Sequence, residues 1–384
     1  MAKETMNGSL PLDGVRVVEF THMVMGPTCG MILADLGAEV IKIEPPGGDK
    51  TRNLPGLGIG FFRSFNRNKK SVVLDINTPA GHAAALDLIG QCDVMLENFR
   101  PGLMAKLGLD YETLSKSFPR LIYVSHKGFL PGPYEKRLAL DEVVQMMGGL
   151  SYMTGPPGRP LRAGTSVNDI MGGMFGAIGV LAALRERDRT GKGQEIQSAL
   201  FENCVFLSAQ HMQQFMMTGD PPAPMPARIS AWSVYDVFTL EGGEQLFIGA
   251  VSDKQFETLC DVIERPDLKS DPSLSTNAQR VEVRPALLER LQGTLRGHRI
   301  AELSAKLEAA GLPYAPIVRP EQLVSDPHLK ESGGIVPMDT EDGHTQVVLL
   351  PLLLGGRRPG VRRPLAKVGE HNEEVLGPRA PRAT

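Results

Sequence analysis

The sequence predicts an α/β fold: a doubly wound, Rossmann-like parallel sheet, with a smaller α/β domain in the same chain. Three observations carry this. Short apolar runs alternate with helical segments from Val15 to Ser125. Loops rich in glycine, asparagine and proline follow the ends of those runs. Past about Tyr235 a second strand–helix series begins, and 384 residues are too many for one small core.

Val15–Glu19 reads as a short buried strand and Glu39–Glu44 as a second. Between them, Gly26-Pro27-Thr28-Cys29-Gly30 reads as a glycine turn and Met31–Leu36 as a helix closed by Gly37, which makes a βαβ unit. Glu44 stands where a dinucleotide-binding fold keeps its ribose carboxylate. The glycines are spaced Gly-x-x-x-Gly, however, without the pair that brings backbone against a pyrophosphate, which argues against NAD. Gly47–Arg52 is a loop by composition. Arg63–Lys70 sets four cations and two amides ahead of the strand Ser71–Leu74, either an anion site or a charged surface approach. Ala80–Ile89 is an amphipathic helix, Asp93–Glu97 a strand, Leu103–Gly108 and Tyr111–Ser117 helices, and Leu121–Ser125 a strand. The strand ends at Gly26–Gly30, Asn98–Gly102 and Lys127–Gly132 are where such sheets bind ligands.

Asp141–Met147 is helical, Gln197–Gln214 runs from strand to helix, and Gly219–Pro226 is a proline-rich linker. Glu244–Val251 is a strand, followed by helices at Lys254–Val262, Arg284–Gly293 and Ile300–Ala310 in a smaller domain ending near Ile317. Asp326–Ser332 reads as a return linker and Val347–Leu353 as a strand, and Gly369–Leu376 closes the chain.

Composition narrows the function. Hydrophobic content of 42%, charged content of 22% and a net charge of -3 are ordinary for a globular protein and give no reason to expect nucleic acid or an anionic membrane as partner. The four cysteines, Cys29, Cys92, Cys204 and Cys260, have no zinc-like spacing, so no metal is expected. Free thiols fit a reducing, cytoplasmic setting. The opening Met-Ala-Lys-Glu-Thr has no signal-peptide character. The apolar run Ile170–Leu184 is shorter than the roughly 18 residues of a membrane span and reads as a buried core helix.

Gly164–Leu184 is the stretch around which the chain is organised. A polar entry, Thr165–Asp169, feeds an apolar helix with Gly172, Gly176, Gly179 and Ala183 on one face. A face without side chains admits another backbone closely, and a second chain is expected there. Asn168 or Asp169 can cap the first turn, because a short side-chain oxygen accepts from its free N–H groups. Asp169 has a second reading, as a carboxylate nucleophile beside glycines that leave room for a bulky substrate. The flanking chain has to decide between them.

Gly164–Asp169, Gly37–Pro45, Asn66–Lys70, Glu97–Gly102, Thr190–Gln194 and Gly369–Leu376 together resemble class III CoA-transferases of the CaiB/BaiF type. That family includes formyl-CoA:oxalate, carnitine, mesaconyl and itaconate CoA-transferases and the α-methylacyl-CoA racemases. The resemblance covers nearly the whole chain. It implies a large domain from residues 1–218 and 326–384, a small domain with its linkers at 219–325, and an interlocked homodimer. It places Asp169 on the catalytic aspartate. Met23, Met25, Lys69, Lys70, Asn98, Phe99, Lys106 and Arg137 fall at or beside positions that contact CoA, the cations suiting its phosphates. Val24, Leu140 and Asp141 fall in the substrate pocket. The substrates implied are a CoA thioester and a carboxylic acid, with no permanently bound cofactor.

The residues also divide transfer from racemisation. The racemase histidine aligns with Leu140, and a racemase glutamate with Ser252. Neither moves a proton, and α-proton exchange needs an acid and a base on opposite faces, so transfer is expected. A racemase or other acyl-CoA isomerase is the alternative, and a non-catalytic CoA- or nucleotide-binding protein a third. Val24 replaces the glutamine of the oxalate enzymes, and their glycine-rich flap is not found near Ile229–Asp236. Apolar Met23, Val24 and Met25 suggest a larger acid than oxalate, such as a C4–C5 dicarboxylate or an aryl-substituted one, with succinyl-CoA or a similar donor. The expected route runs through an aspartyl anhydride and an aspartyl-CoA thioester at Asp169.

Overall fold

The computed structural model describes residues 10–228, 230–340 and 343–377. The N-terminal pentapeptide and Ile229, on which two of the expectations above touch, lie outside the described residues. The chain divides into two compact units, one formed by residues up to Ala227 with those from Asp326 onward, the other by Arg228–Ser325.

The first unit is built on six strands: β1 Arg16–Phe20, β2 Glu39–Glu44, β3 Lys69–Val73, β4 Val94–Glu97, β5 Ile122–Lys127 and β6 Glu195–Ala199. Every pairing is parallel, in the order β3-β2-β1-β4-β5-β6. Such a sheet is covered on both faces, and its strands read as continuous apolar runs: Val17, Val18, Val94, Met95 and Leu96 are all inaccessible to solvent. The strand order reverses between β1 and β4, which opens a crevice at their carboxyl ends.

The helix after β1 starts earlier than expected, spanning Met25–Asp35, so Gly26–Gly30 is no turn. Pro27 is tolerated because it falls in the first turn, where N–H groups have no helical partner. The glycines serve close approach instead. A Cβ on Gly26 would meet the Thr21 side chain at 2.5 Å, and one on Gly30 would meet the Glu19 carboxylate at 1.8 Å.

The central helix spans Val167–Thr190, nine residues beyond the apolar run that announced it. By length and composition alone it could cross a membrane. Here its glycine face is occupied within the protomer. A Cβ on Gly173 would meet the Met25 carbonyl oxygen at 2.6 Å, one on Gly176 the His126 ring at 2.5 Å, and one on Gly179 the Ile196 side chain at 2.7 Å. The expectation that this face receives a second chain is therefore corrected: Met25–Asp35, β5 and β6 fill it. Met174, Ile178 and Leu181 on the helix remain exposed.

The C-terminal segment clasps β3, the edge strand. The Asn68 side chain accepts from the Arg362 and Arg363 amides at 2.6 and 2.8 Å. The His371 amide donates to the Ser71 carbonyl, and His371 Nδ1 accepts from the Ser71 amide at 3.2 Å. Asn372 Oδ1 accepts from the Val73 amide at 2.8 Å. Side chains thus complete the unpaired edge where a further strand would otherwise bind. Upstream, Pro327–Glu331 is a short helix within the stretch read as a linker. The strand expected at Val347–Leu353 is corrected: β11 spans Gly343–Val348, paired antiparallel with β10, Ile335–Thr340, and residues 349–353 are irregular.

The second unit holds a three-stranded antiparallel sheet, β7 Val234–Thr239, β8 Gln245–Ala250 and β9 Tyr314–Pro316. Helices Asp253–Val262, Arg284–Leu295 and Ile300–Ala309 bury Leu259, Leu291, Leu295 and Leu303 in its core with Leu246 and Ile248.

Two glycine substitutions separate packing from propensity. Gly173→Ala drives a Cβ into backbone that cannot yield, and a loss of roughly 1–3 kcal/mol is expected in denaturant unfolding. Gly293→Ala meets nothing within 4 Å in its helix and is expected to gain about 0.5–1 kcal/mol. Equal effects at the two positions would contradict the close-packing role.

Candidate active site

The amides at the start of the central helix need acceptors, and the capping expectation is corrected here. Ser166 occupies the N-cap position with no side-chain capping bond. Asp141, the first residue of the helix Asp141–Met147, accepts from the Asn168 amide at 2.8 Å and the Asp169 amide at 3.3 Å through Oδ1. Its Oδ2 is held by Gln145 Nε2, and Gln145 Oε1 accepts from the Ala163 amide at 2.7 Å. Asp141 is therefore a buried capping group, not an open wall of a substrate pocket.

Asp169 is left in the first helical turn with no hydrogen bond to its carboxylate among the described residues. It keeps an opening to the surface while protein crowds most of its sides. That desolvation is the largest influence on its pKa, followed by the Asp141 charge; Arg162 pulls the other way, and the outcome is a carboxyl raised to about 7. Asp169 therefore ionises near neutrality rather than far below it. A desolvated carboxylate with no donor holding it is a stronger nucleophile than a solvated one.

A second feature lies at the β1/β4 crevice. A cavity of about 470 Å³ is lined by Met23, His22, Phe99, Leu74, Ile76 and Lys50, among others. His22 and Asn98 join the two strand ends: Asn98 Oδ1 accepts from the His22 amide at 3.1 Å and Asn98 Nδ2 donates to the His22 carbonyl at 2.8 Å. The His22 and Phe99 rings lie 5.6 Å apart. Met23 adopts a left-handed φ of 63°, and its amide donates to Thr51 Oγ1. Two residues on, Met25 lies against Gly172 of the central helix. The chain at 23–25 thus links the cavity wall to the helix that carries Asp169. Neither His22 nor Lys50 was singled out from sequence, although the rule that ligands bind at carboxyl strand ends points to the Thr21-His22 step.

Beneath the cavity the charges are committed. Glu44 accepts from Arg52 at 2.6 and 2.8 Å, from Ser71 Oγ at 2.7 Å and from the Asp49 amide at 2.7 Å. Burial alone would raise its pKa, and these donors hold it below the usual range. It has no capacity left for a ribose, which agrees with the reading against NAD.

The cation expectation at 63–70 is corrected. Lys69 is buried, with Nζ bonded to Glu19 at 2.9 Å, the Pro27 carbonyl at 2.9 Å and Asn66 at 3.1 Å. Burial lowers its pKa to about 8 against the pull of Glu19. Arg67 is buried on Asp35. Lys70, the next residue along β3, pairs with Glu39 and with Glu374. A phosphate would have to displace a carboxylate to reach either lysine. Lys106 and Arg137 are exposed and pair with no carboxylate among the described residues, Arg137 lying 5.1 Å from the Tyr134 ring centroid. Val24 is 1% exposed, so its side chain cannot line an acceptor pocket in the protomer, and Leu140 is exposed.

Two consequences are measurable. The folded-state pKa of Asp169 lies above its unfolded value near 4, so its ionisation opposes folding. The penalty is absent below about pH 4, grows between pH 4 and 7 and is complete above 7. Asp169→Asn is expected to be more stable than the parent at pH 8 by about 1–4 kcal/mol, with the gap closing toward pH 4. Melting curves across that range check it. Lys69→Ala strips Glu19 of its nearest cation, leaving Lys42 at 3.6 Å, and is expected to cost roughly 3–5 kcal/mol of stability.

The chain matches the model of CoA-transferase family III over residues 12–372. It is 34% identical over 389 aligned residues to the succinate–glutarate CoA-transferase of Agrobacterium fabrum, covering 96% of each chain. It is 37% identical to the acetyl-CoA:oxalate CoA-transferase of Acetobacter aceti, across 85% of this chain and 87% of that one. The crystal structure of a CAIB/BAIF family protein from Brucella suis superposes with a TM-score of 0.87 at 32% identity, covering 96% of this chain and 99% of the other. With that match running through the sheet, the crevice and the Asp169 turn, the chain belongs to CoA-transferase family III and is an enzyme that uses CoA thioesters as substrates.

Proposed function

We propose that this enzyme moves CoA from succinyl-CoA or a similar donor to a dicarboxylate acceptor by covalent catalysis at Asp169. One observation carries the mechanism: Asp141 does the capping, and Asp169 is left unpartnered, desolvated and poised to ionise near pH 7. The Asp169 carboxylate attacks the donor thioester carbonyl; the C–S bond breaks, giving an acyl-aspartyl anhydride and CoA thiolate. The thiolate attacks the aspartyl carbonyl, releasing the donor acid and leaving an aspartyl-CoA thioester. The acceptor carboxylate attacks that thioester, expelling the thiolate and forming a second anhydride. Thiolate attack on the acceptor carbonyl releases the new CoA ester and restores Asp169. Relatives named for glutarate, oxalate and mesaconate support a dicarboxylate acceptor.

The crevice cavity suits the adenosine end of CoA. Met23 and Phe99 offer apolar contact, Asn98 fixes the His22 turn, and Lys50 stands at the wall as a cation outside any ion pair among the described residues. Exposed Lys106 and Arg137 are further candidates for its phosphates. A homodimer is part of the reading: Leu138, Leu140, Phe206, Met216 and Met217 are each more than 65% exposed, an apolar surface of the kind a partner covers. A reducing, cytoplasmic setting is part of the same reading, taken from the free thiols of Cys29, Cys92, Cys204 and Cys260. Racemisation is disfavoured, since Leu140 has no proton to move and Ser252 caps a helix by accepting from the Gln255 amide at 3.2 Å.

Asp169→Asn keeps the shape and removes the nucleophile. Its transferase turnover is expected to fall by several orders of magnitude with the fold intact. Acyl-CoA without acceptor should load the parent enzyme, and hydroxylamine should mark Asp169 in a peptide map. Retained turnover in folded Asp169→Asn would sink the covalent route.

A further inference from the structure

Arg162 stands in the loop before the central helix, and its position is fixed by the same bonds that fix Asp169. The Ala163 amide is held by Gln145, Gln145 holds Asp141, and Asp141 caps the Asn168 and Asp169 amides. Loop and nucleophile therefore share one frame. The guanidinium is anchored on two sides: Nε donates to the Ala163 carbonyl at 3.1 Å, and Nη1 to Glu142. Nη2 has no partner among the described residues. The side chain stays about one-third exposed. Its charge lowers the Asp169 carboxyl pKa while that of Asp141 raises it.

We propose that Arg162 selects the acceptor, taking the distal carboxylate of a dicarboxylate while the proximal one attacks at Asp169. This rests on the covalent route proposed above. The argument is one of charge at each stage. In the resting enzyme Arg162 pairs with Glu142 while its charge also acts on the Asp169 carboxylate, with no hydrogen bond between the two among the described residues. Once Asp169 is acylated or thioesterified that charge is gone, and Asp141 and Glu142 remain. A doubly charged acceptor arriving then meets Arg162 with one anion fewer acting on it, still anchored on Glu142 and with Nη2 unpartnered among the described residues. The N–H groups left on Nη2 can donate to a carboxylate, which suits the guanidinium in geometry as well as in sign. A monocarboxylate of equal length has no second charge to place and gains nothing from Arg162. The arginine is thus a specificity residue, distinct from the nucleophile.

The test measures kcat/KM for the acceptor, glutarate against valerate, at saturating succinyl-CoA. In such a double-displacement scheme this constant reports the loaded enzyme meeting its acceptor, apart from donor binding. Arg162→Gln is expected to lower kcat/KM for glutarate by about a hundredfold, with valerate changed less than about threefold. Arg162→Lys, which keeps the charge without the fork, should fall between. Glu142→Gln, which leaves the arginine and removes its anchor, should keep the preference for glutarate. A purely supporting role for Arg162, through the frame or the ionisation of Asp169, would depress both acceptors by one common factor and overturns the inference. So does an unchanged glutarate-to-valerate ratio in Arg162→Gln, or a Glu142→Gln that loses the preference as fully. If Arg162→Gln does not fold, the Lys and Glu142 variants decide by the same ratio. A parent enzyme that loads CoA onto neither acid overturns the transferase reading itself, and this inference with it. A parent active on both, with its ratio insensitive to Arg162, overturns this inference alone.

Discussion

The first turn of the central helix presents N–H groups that its own chain cannot satisfy, and Asp141 satisfies them from another helix. Much else depends on that pair of bonds. They dock Asp141–Met147 against the central helix, and through Gln145 they fix the loop at Arg162–Ala163. They also free Asp169 from the task its position would otherwise give it. A carboxylate that caps a helix is stabilised by the amides it accepts from and is a poor nucleophile for the same reason. Here one aspartate is tied into hydrogen bonds and the other is left beside it with no donor on its carboxylate among the described residues. The chemistry of Asp169 is thus a property of the pair.

A second division of labour lies under the crevice. Glu19, Lys42, Asp49 and Lys69 form a buried charged cluster whose members satisfy one another. Lys42 reaches Asp49 at 3.0 Å and the Thr21 carbonyl at 2.7 Å, and Lys69 reaches Glu19. Buried ion pairs of this kind contribute little net stability, because desolvation offsets the attraction. What they supply is position. Lys42 holds Thr21 at the end of β1, and Asp49 holds Thr51, which holds Met23. The crevice wall is therefore held in place by buried charges that bond to one another. Gly30 belongs to this arrangement, since any side chain there would occupy the place of the Glu19 carboxylate.

What was legible in the sequence was what is local. Glu39–Glu44 and Asp141–Met147 fall where the apolar pattern put them, because adjacent residues decide strand and helix alike. Val234–Thr239 was not recognised as a strand: its Tyr-Asp-Val centre is half open to solvent, which blurs the alternation. Ile335–Thr340 carries an internal proline and pairs only with β11, so its strand character comes from its partner. The helix at Met25 was read as a turn because Gly26, Pro27 and Gly30 look like breakers until Thr21 and Glu19 are seen pressing on them. The site failed in the same way. Lys69 looked like a free cation because its carboxylate lies fifty residues upstream, on a strand two places away in the sheet. Asp169 looked like a cap because the true capping group is 28 residues away. Family resemblance points to Asp169, but its electrostatic setting is written in contacts the linear chain does not display.

The clasp on β3 has a consequence for how the molecule is made. Ser71 and His371 bond to each other across 300 positions of the chain. Ribosomes add roughly 5–20 residues per second, so β3 emerges on the order of 15–60 s before the segment that covers it. For that interval the nascent sheet has an open edge of strand amides and carbonyls beside a neighbouring apolar surface. Until residues 362–372 arrive, the early half of the chain carries the kind of open edge that pairs with other strands. A truncation that spares every residue near Asp169 would prolong that exposure indefinitely.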